Sequence, residues 1–326
     1  MGKCHQTHFL SHWMELTNGT TVQEFILLGF GMDQKKQFLL FAFLIILYVL
    51  TLVENSTIIT VVLIVPMYIL LSNFSWLEMC YVTSTIPRMI FDLATHNQVI
   101  SFHACFLQFY LLFSLGTTEF FFLSAMALDR YLAICYPLQY QNIMSPHSCY
   151  ILVTACWILG FLGYITPVVF LSKLSYCGPN IIDHFVCDLI PLLSLACPPL
   201  GNAPLICQII VNILFLSNVL FVMLSYGIVI YTLMKSSSKG NCRKGFNTIS
   251  MHLLVVILFF STVGAMYLIP VGESHLKINK TITLFYVAII PFLNPLIYCL
   301  RNNQVKEALH KLLAEISGLI MTTITV

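Results

Sequence analysis

The sequence predicts an all-α membrane protein, a seven-transmembrane helix bundle. Three observations carry that reading. Apolar residues make up 59% of the 326-residue chain and charged residues 9%, whereas soluble domains carry about 25% charged residues. Seven apolar segments stand out, at roughly 37–64, 66–91, 105–128, 149–172, 203–234, 246–271 and 281–300. Each meets the ~20 residues that a helix needs to cross the hydrocarbon core. Barrel strands would show alternating segments of about 10 residues, and none is visible.

The division that follows is an N-terminal segment over 1–36, a bundle over 37–300 and a tail over 301–326. Basic residues set the orientation. With the N-terminus outside, Arg130, Lys235, Lys239, Arg243, Lys244, Arg301, Lys306 and Lys311 lie on the cytoplasmic side, against Asp129, Glu307 and Glu315. The outer side balances. A net charge of +2 argues against a nucleic-acid partner. No secretory signal peptide precedes span one, which then serves as its own insertion signal. Met14 offers a second start, and Asn18-Gly19-Thr20 is a glycosylation sequon on the outer side. Cys4, His5, His8 and His12 read as part of a disordered tail, since a metal pair needs a rigid scaffold.

Polar residues inside the spans are costly and mark function. Span one carries Asn55 beside Glu54, span two Glu78, span three Glu119, and span seven Asn294. Span three ends in Asp129-Arg130-Tyr131, an ion pair at the membrane boundary suited to latch a helix end. Pro295 removes a backbone hydrogen bond and bends span seven. The spans are otherwise apolar nearly all round, so periodicity does not say which face is buried.

Cys105 opens span three, and Cys177, Cys187 and Cys197 follow in the loop between spans four and five. Four outer cysteines allow three pairings, among which spacing does not choose. A bond from Cys105 to that loop would draw it over the bundle as a lid. His184 with Cys187-Asp188 resembles a metal cluster, but a disulfide at Cys187 would remove the thiolate.

Several stretches then coincide in order. They are Glu24-Phe25-Ile26-Leu27-Leu28-Gly29-Phe30, Pro66-Met67-Tyr68, the run from Met126 to Cys135, and Pro137-Leu138-Gln139-Tyr140. Further on come His184-Phe185-Val186-Cys187-Asp188, Ser225-Tyr226, Lys244-Gly245-Phe246-Asn247-Thr248, His252-Leu253 and Pro291-Phe292-Leu293-Asn294-Pro295-Leu296-Ile297-Tyr298. Together they resemble the vertebrate olfactory (odorant) receptors, within the rhodopsin-like G protein-coupled receptors, over nearly the whole chain.

The resemblance implies disulfides Cys105–Cys187 and Cys177–Cys197, and an amphipathic eighth helix at about 302–313. It brings Glu78 and Glu119 toward Asn294 in mid-bundle, as a structural knot or as a pair sharing a proton or a sodium ion. It makes Asp129, Arg130, Tyr131, Tyr226, His252, Asn294, Pro295 and Tyr298 the activation switch. It places the guest between spans three, five, six and seven, against Phe113, Gly116 and Thr117, then Cys207, Ile210, Val211 and Leu214. Phe260, Val263, Gly264 and Tyr267 follow on span six, and Leu284 and Val287 on span seven. Thr117 and Tyr267 are the hydrogen-bond donors of that set, and none of it is charged. The expected guest is a small, mostly neutral volatile molecule.

The expected partners are that odorant, membrane lipid and a heterotrimeric G protein of the stimulatory type. The G protein would meet Arg130, the loop 137–143, 235–244 and the start of helix eight, with cyclic AMP as the output. The expected location is the plasma membrane, in the cilia of sensory neurons, with no cofactor. The alternatives are a non-olfactory rhodopsin-like receptor for a lipid or peptide, a transporter, or a membrane enzyme. No internal repeat supports a transporter. No His-Glu-x-x-His, phosphate-binding glycine loop or Gly-x-Ser-x-Gly supports an enzyme. The chain departs from the family pattern where Leu63-Ile64-Val65-Pro66-Met67-Tyr68 replaces a polar turn, and Glu54 stands where glycine is usual. Phe260 replaces a usual tyrosine. These departures predict a normal fold with impaired insertion or surface expression.

Overall fold

Lipid offers backbone amides no partner, so spanning segments satisfy their hydrogen bonds internally as helices. The computed structural model describes residues 22–62, 69–95, 97–177, 179–235, 239–268 and 276–301. Among them are seven long rods: α1 Gln34–Val62, α2 Ile69–Thr95, α3 Phe102–Cys135, α4 Pro146–Ser172, α5 Ala203–Lys235, α6 Lys239–Leu268 and a composite α7. The last joins Leu276–Leu284, a π-helical segment Phe285–Ile289 and Ile290–Arg301. All but α2 contain a stretch long and apolar enough to cross a bilayer. Asn73, Glu78, Arg88 and Asp92 make α2 the more polar rod.

Local signals start and stop these rods. Ser101 caps α3 by accepting the Ala104 amide at 3.3 Å. Ser145 caps α4 by accepting the Ser148 amide at 3.3 Å, with Pro146 in the first turn, where its missing amide costs nothing. Hydroxyls within the rods donate to carbonyls one turn back, as in Thr51 to Leu47 at 2.8 Å and Thr118 to Ser114 at 2.8 Å. That arrangement gives these hydroxyl protons a partner within their own helix.

α3 is the axis of the bundle. Its most apolar stretch is 78% buried, against 17–28% for those of α1, α4, α5 and α6. α4 lies against it at Gly160, where a Cβ would collide with the Thr118 side chain and sit 2.7 Å from its Cα. The helix also runs past its expected end at 128, so Asp129-Arg130-Tyr131 is followed by a further turn rather than by a loop.

At the disulfide-bonded end three short strands form a sheet that the all-helical expectation lacked. β1 (Glu24–Leu27) pairs antiparallel with β2 (Val99–Ser101) and parallel with β3 (Ile181–Ile182), in the order β2-β1-β3. Phe25 and Leu27 on β1 face inward and are fully buried. The sheet covers a core of Phe106, Phe109, Tyr164, Tyr176, Cys187 and Val211. A larger core fills the rest of the bundle, and Phe113 touches both. Asn18, the turn 63–68 and helix eight at 302–313 lie outside the described residues. The side chains of Tyr267 and Tyr298 do too.

Candidate functional site: a bundle with a lidded end and a latched end

The lid is built by covalent and polar ties. Cys105 on α3 is bonded to Cys187, and Cys177 to Cys197, with Cα separations of 5.6 and 5.3 Å. The Cys187 amide also donates to Gln108 of α3 at 3.2 Å. Asp188 caps the short helix Leu189–Leu195 through the Leu189 amide. Lys280 of α7, itself buried, donates to the Gly29 carbonyl at 2.7 Å and pairs with Asp183. It thereby joins the N-terminal segment, the loop and α7. Cys187, being bonded, has no thiolate to offer a metal. His184 beside it is buried, accepts the Val186 amide at Nδ1 (3.2 Å) and stacks on Phe185. Burial, then the Lys280 ammonium, pushes its imidazole down to about 3, which keeps the ring neutral. Asn279-Lys280-Thr281 matches the glycosylation pattern but lies within the helix Leu276–Leu284.

The residues expected around a guest are spread over both cores and over half-buried helix faces. Cys207 and Val211 of α5 belong to the core beneath the lid, where Phe113 stacks on Tyr164 at 5.0 Å. Val263 and Val287 belong to the main core. Ile210, Leu214, Gly264 and Leu284 are half-buried, and Gly264 faces Phe215. Thr117 is buried, and its hydroxyl donates to the Phe113 carbonyl at 2.7 Å. Its proton is therefore committed to its own helix, so the expected donor role does not hold and the oxygen can only accept. Phe260 stacks on Phe120 at 5.6 Å, and Phe215 and Phe259 complete a four-ring cluster joining α3, α5 and α6. Sequence reasoning missed the other three rings, because phenylalanine in an apolar run reads as packing.

Beneath lies the polar knot. Asn294 donates to Glu78 at 2.5 Å and to Glu119 at 3.5 Å, and all three are at most 2% exposed. Asn55 is buried but turns its amide to the Thr51 carbonyl of its own helix at 2.9 Å. The second oxygen of Glu78 and the Ser114 hydroxyl are buried without a hydrogen-bond partner among the described residues. So is one oxygen of Glu54.

At the opposite end Arg130 pairs with Asp129 at 2.7 Å. The other Asp129 oxygen accepts the Tyr140 hydroxyl at 2.6 Å, from the one-turn helix Tyr140–Ile143. Burial, then this bond, raises the Tyr140 phenol above its usual range, so the proton stays available to donate. Tyr131 meets Tyr136 edge-on at 5.7 Å. The Tyr226 hydroxyl of α5 is buried and without a hydrogen-bond partner among the described residues. His252 is half-buried on α6, and Pro295 lies inside α7. Two ties between α3 and α5, Ser124 to Asn218 at 2.7 Å and Cys135 to Thr232 at 3.5 Å, were not anticipated.

A membrane bundle of this kind, lidded by disulfides, knotted in the middle and latched by an Arg–Asp pair, is a seven-helix receptor. Residues 44–316 match the olfactory receptor family model. Human olfactory receptor 11H6 is 48% identical over 90% of both chains. Human olfactory receptor 11G2 is 46% identical over 90% of this chain and 87% of its own. Human olfactory receptor 6B1 is 41% identical over 92% and 97%. The chain belongs to the olfactory receptor family.

Proposed function

We propose that this receptor takes small, mostly neutral volatile molecules between α3, α5, α6 and α7, in the half of the bundle beneath the lid, and activates a stimulatory heterotrimeric G protein. Cyclic AMP is the output. The observation that carries the reading is the contrast between the two ends, in a chain of this family. Phe113, Cys207, Val211, Phe260, Val263 and Val287 bring no charge to the lidded half, which suits a neutral apolar guest. The other end presents Arg130, held by Asp129, whose second oxygen accepts the Tyr140 hydroxyl.

The mechanism is a shift between two states, and a guest acts only by binding one of them better. In the resting arrangement Asp129 restrains Arg130. In the active one α6 moves outward, Arg130 is released, and Tyr226 and Tyr298 turn in to support it. The knot couples the ends, because Asn294 on α7 holds α2 and α3 through Glu78 and Glu119. Two adjacent carboxyl groups do not both ionise without a counter-charge. They share a proton or a sodium ion, for which buried oxygens are the fitting donors. The N-terminus and the 1–36 segment face outward, the bundle spans 37–300, and 301–326 lies in the cytoplasm of sensory cilia, with a glycan on Asn18.

The test is a cyclic-AMP reporter in cells that display the protein, challenged with a broad panel of volatiles. Responses to neutral volatiles that disappear in Arg130→Ala support the reading. Silence of the displayed protein to the whole panel contradicts it.

A further inference from the structure

Gly116 on α3 and Tyr286 on α7 interlock. A Cβ built on Gly116 would collide with the Tyr286 hydroxyl. The next nearest atoms, Tyr286 Cζ at 3.6 Å and Tyr81 Cε2 at 3.7 Å, would be in ordinary contact. One phenolic oxygen therefore makes position 116 a glycine.

Tyr286 belongs to the π segment Phe285–Ile289, and such a turn re-aims the side chains it carries. Its ring is 7% exposed, meets Tyr81 edge-on at 5.5 Å and lies 5.7 Å from Phe259. Glu119 is one helical turn further along α3 from Gly116, and Asn294 is about two turns further along α7 from Tyr286. The ring thus sits on the lidded side of the knot, between α2, α3, α6 and α7.

We propose that Tyr286 is the floor of the guest chamber, that its hydroxyl sets how far a guest reaches toward the knot, and that position 116 is glycine to admit it. The guest it selects is a neutral molecule of limited length. That part rests on the odorant reading, whereas the interlock itself does not. Tyr286→Phe lowers the floor by about one heavy atom, near the size of a methylene. Gly116→Ala forces the phenol aside, and overpacking a filled core is destabilising. In the double variant the new methyl takes the place of the lost oxygen.

Two readouts test this in the full-length receptor. The first is surface display, which needs no guest. Gly116→Ala is expected to lose display about threefold or more, as an overpacked variant does. Adding Tyr286→Phe is expected to restore it to within about twofold of the parent. A double variant no better than Gly116→Ala overturns the interlock. The second is the cyclic-AMP response to straight-chain primary alcohols differing by one methylene. Tyr286→Phe should move the best alcohol one carbon longer, and the double variant should move it back. An active parent whose optimum is unchanged in Tyr286→Phe overturns this inference alone. A displayed parent silent to every volatile overturns the odorant reading, and with it the guest-length part.

Discussion

Tyr140 donates its hydroxyl proton to the same Asp129 carboxylate that holds Arg130, at 2.6 Å on one oxygen while the ion pair takes the other at 2.7 Å. The short loop helix after α3 is thus part of the latch. Tyr140→Phe keeps the ring and removes the bond. A hydrogen bond to a charged group contributes about 1.5–3 kcal/mol when buried. Asp129 is buried, but Arg130 is 27% exposed and Tyr140 half-buried, so about 1 kcal/mol is the share after solvent screening, or about fivefold in the ratio of states. Basal cyclic AMP per displayed receptor should rise by roughly that factor. An unchanged basal level would separate Tyr140 from the latch.

Asn294 is the donor for both buried carboxyl groups. Asn294→Ala leaves them without it, at a cost of about 1–3 kcal/mol. The melting temperature of the detergent-solubilised receptor should fall by several degrees. Once Glu78→Ala is also present, the Asn294 change should cost clearly less, because the two residues share one interaction. Additive losses would mean that the pair is not coupled.

The lid predicts an order between two variants. Lys280 is 8% exposed and Asp183 is 45% exposed. Asp183→Asn strands a buried ammonium on the Gly29 carbonyl, whereas Lys280→Met leaves a carboxylate that water can reach. Breaking an ion pair costs most when the buried partner keeps its charge. Hydrogen exchange at residues 26–29 and 181–184 should therefore accelerate more in Asp183→Asn than in Lys280→Met. The reverse order would place the strain elsewhere.

His184 gives the lid a pH dependence whose sign is fixed. Its folded value lies below the ordinary imidazole value of 6.5, at about 3. The neutral ring's contribution is fully present above about 6.5 and is lost as pH falls from there toward about 3. Melting should drop between about pH 7.5 and about pH 5, and drop less in His184→Phe. An equal drop in the variant would assign the acid sensitivity to other groups.

The seven rods were legible because lipid demands about 20 apolar residues in a helix, and the chain obeys that rule almost everywhere. The residues of the latch and knot were legible as charges and amides where none belong. The sheet was not, because strands of two to four residues carry no periodicity, and β1 finds its partners more than seventy residues away. The cysteine pairing came from resemblance rather than from spacing. Tyr140 and Lys280 look like ordinary loop and rim residues until the fold brings Asp129 and Asp183 to them. The π segment at Phe285–Ile289 leaves no compositional trace, so nothing singled out Tyr286, although Gly116 opposite was already among the guest residues. The turn at 63–68 lies outside the described residues, so impaired surface expression remains a prediction for experiment.

A neutral guest in the lidded half is expected to release the Arg130 end to a G protein. Energy transfer between a tagged receptor and a tagged stimulatory Gα subunit, in cells expressing both, reads that step without an intermediate. The expected result is a rise on addition of an active volatile, absent in Arg130→Ala at equal surface display. A rise that survives Arg130→Ala, or no rise with any volatile that raises cyclic AMP, would contradict it.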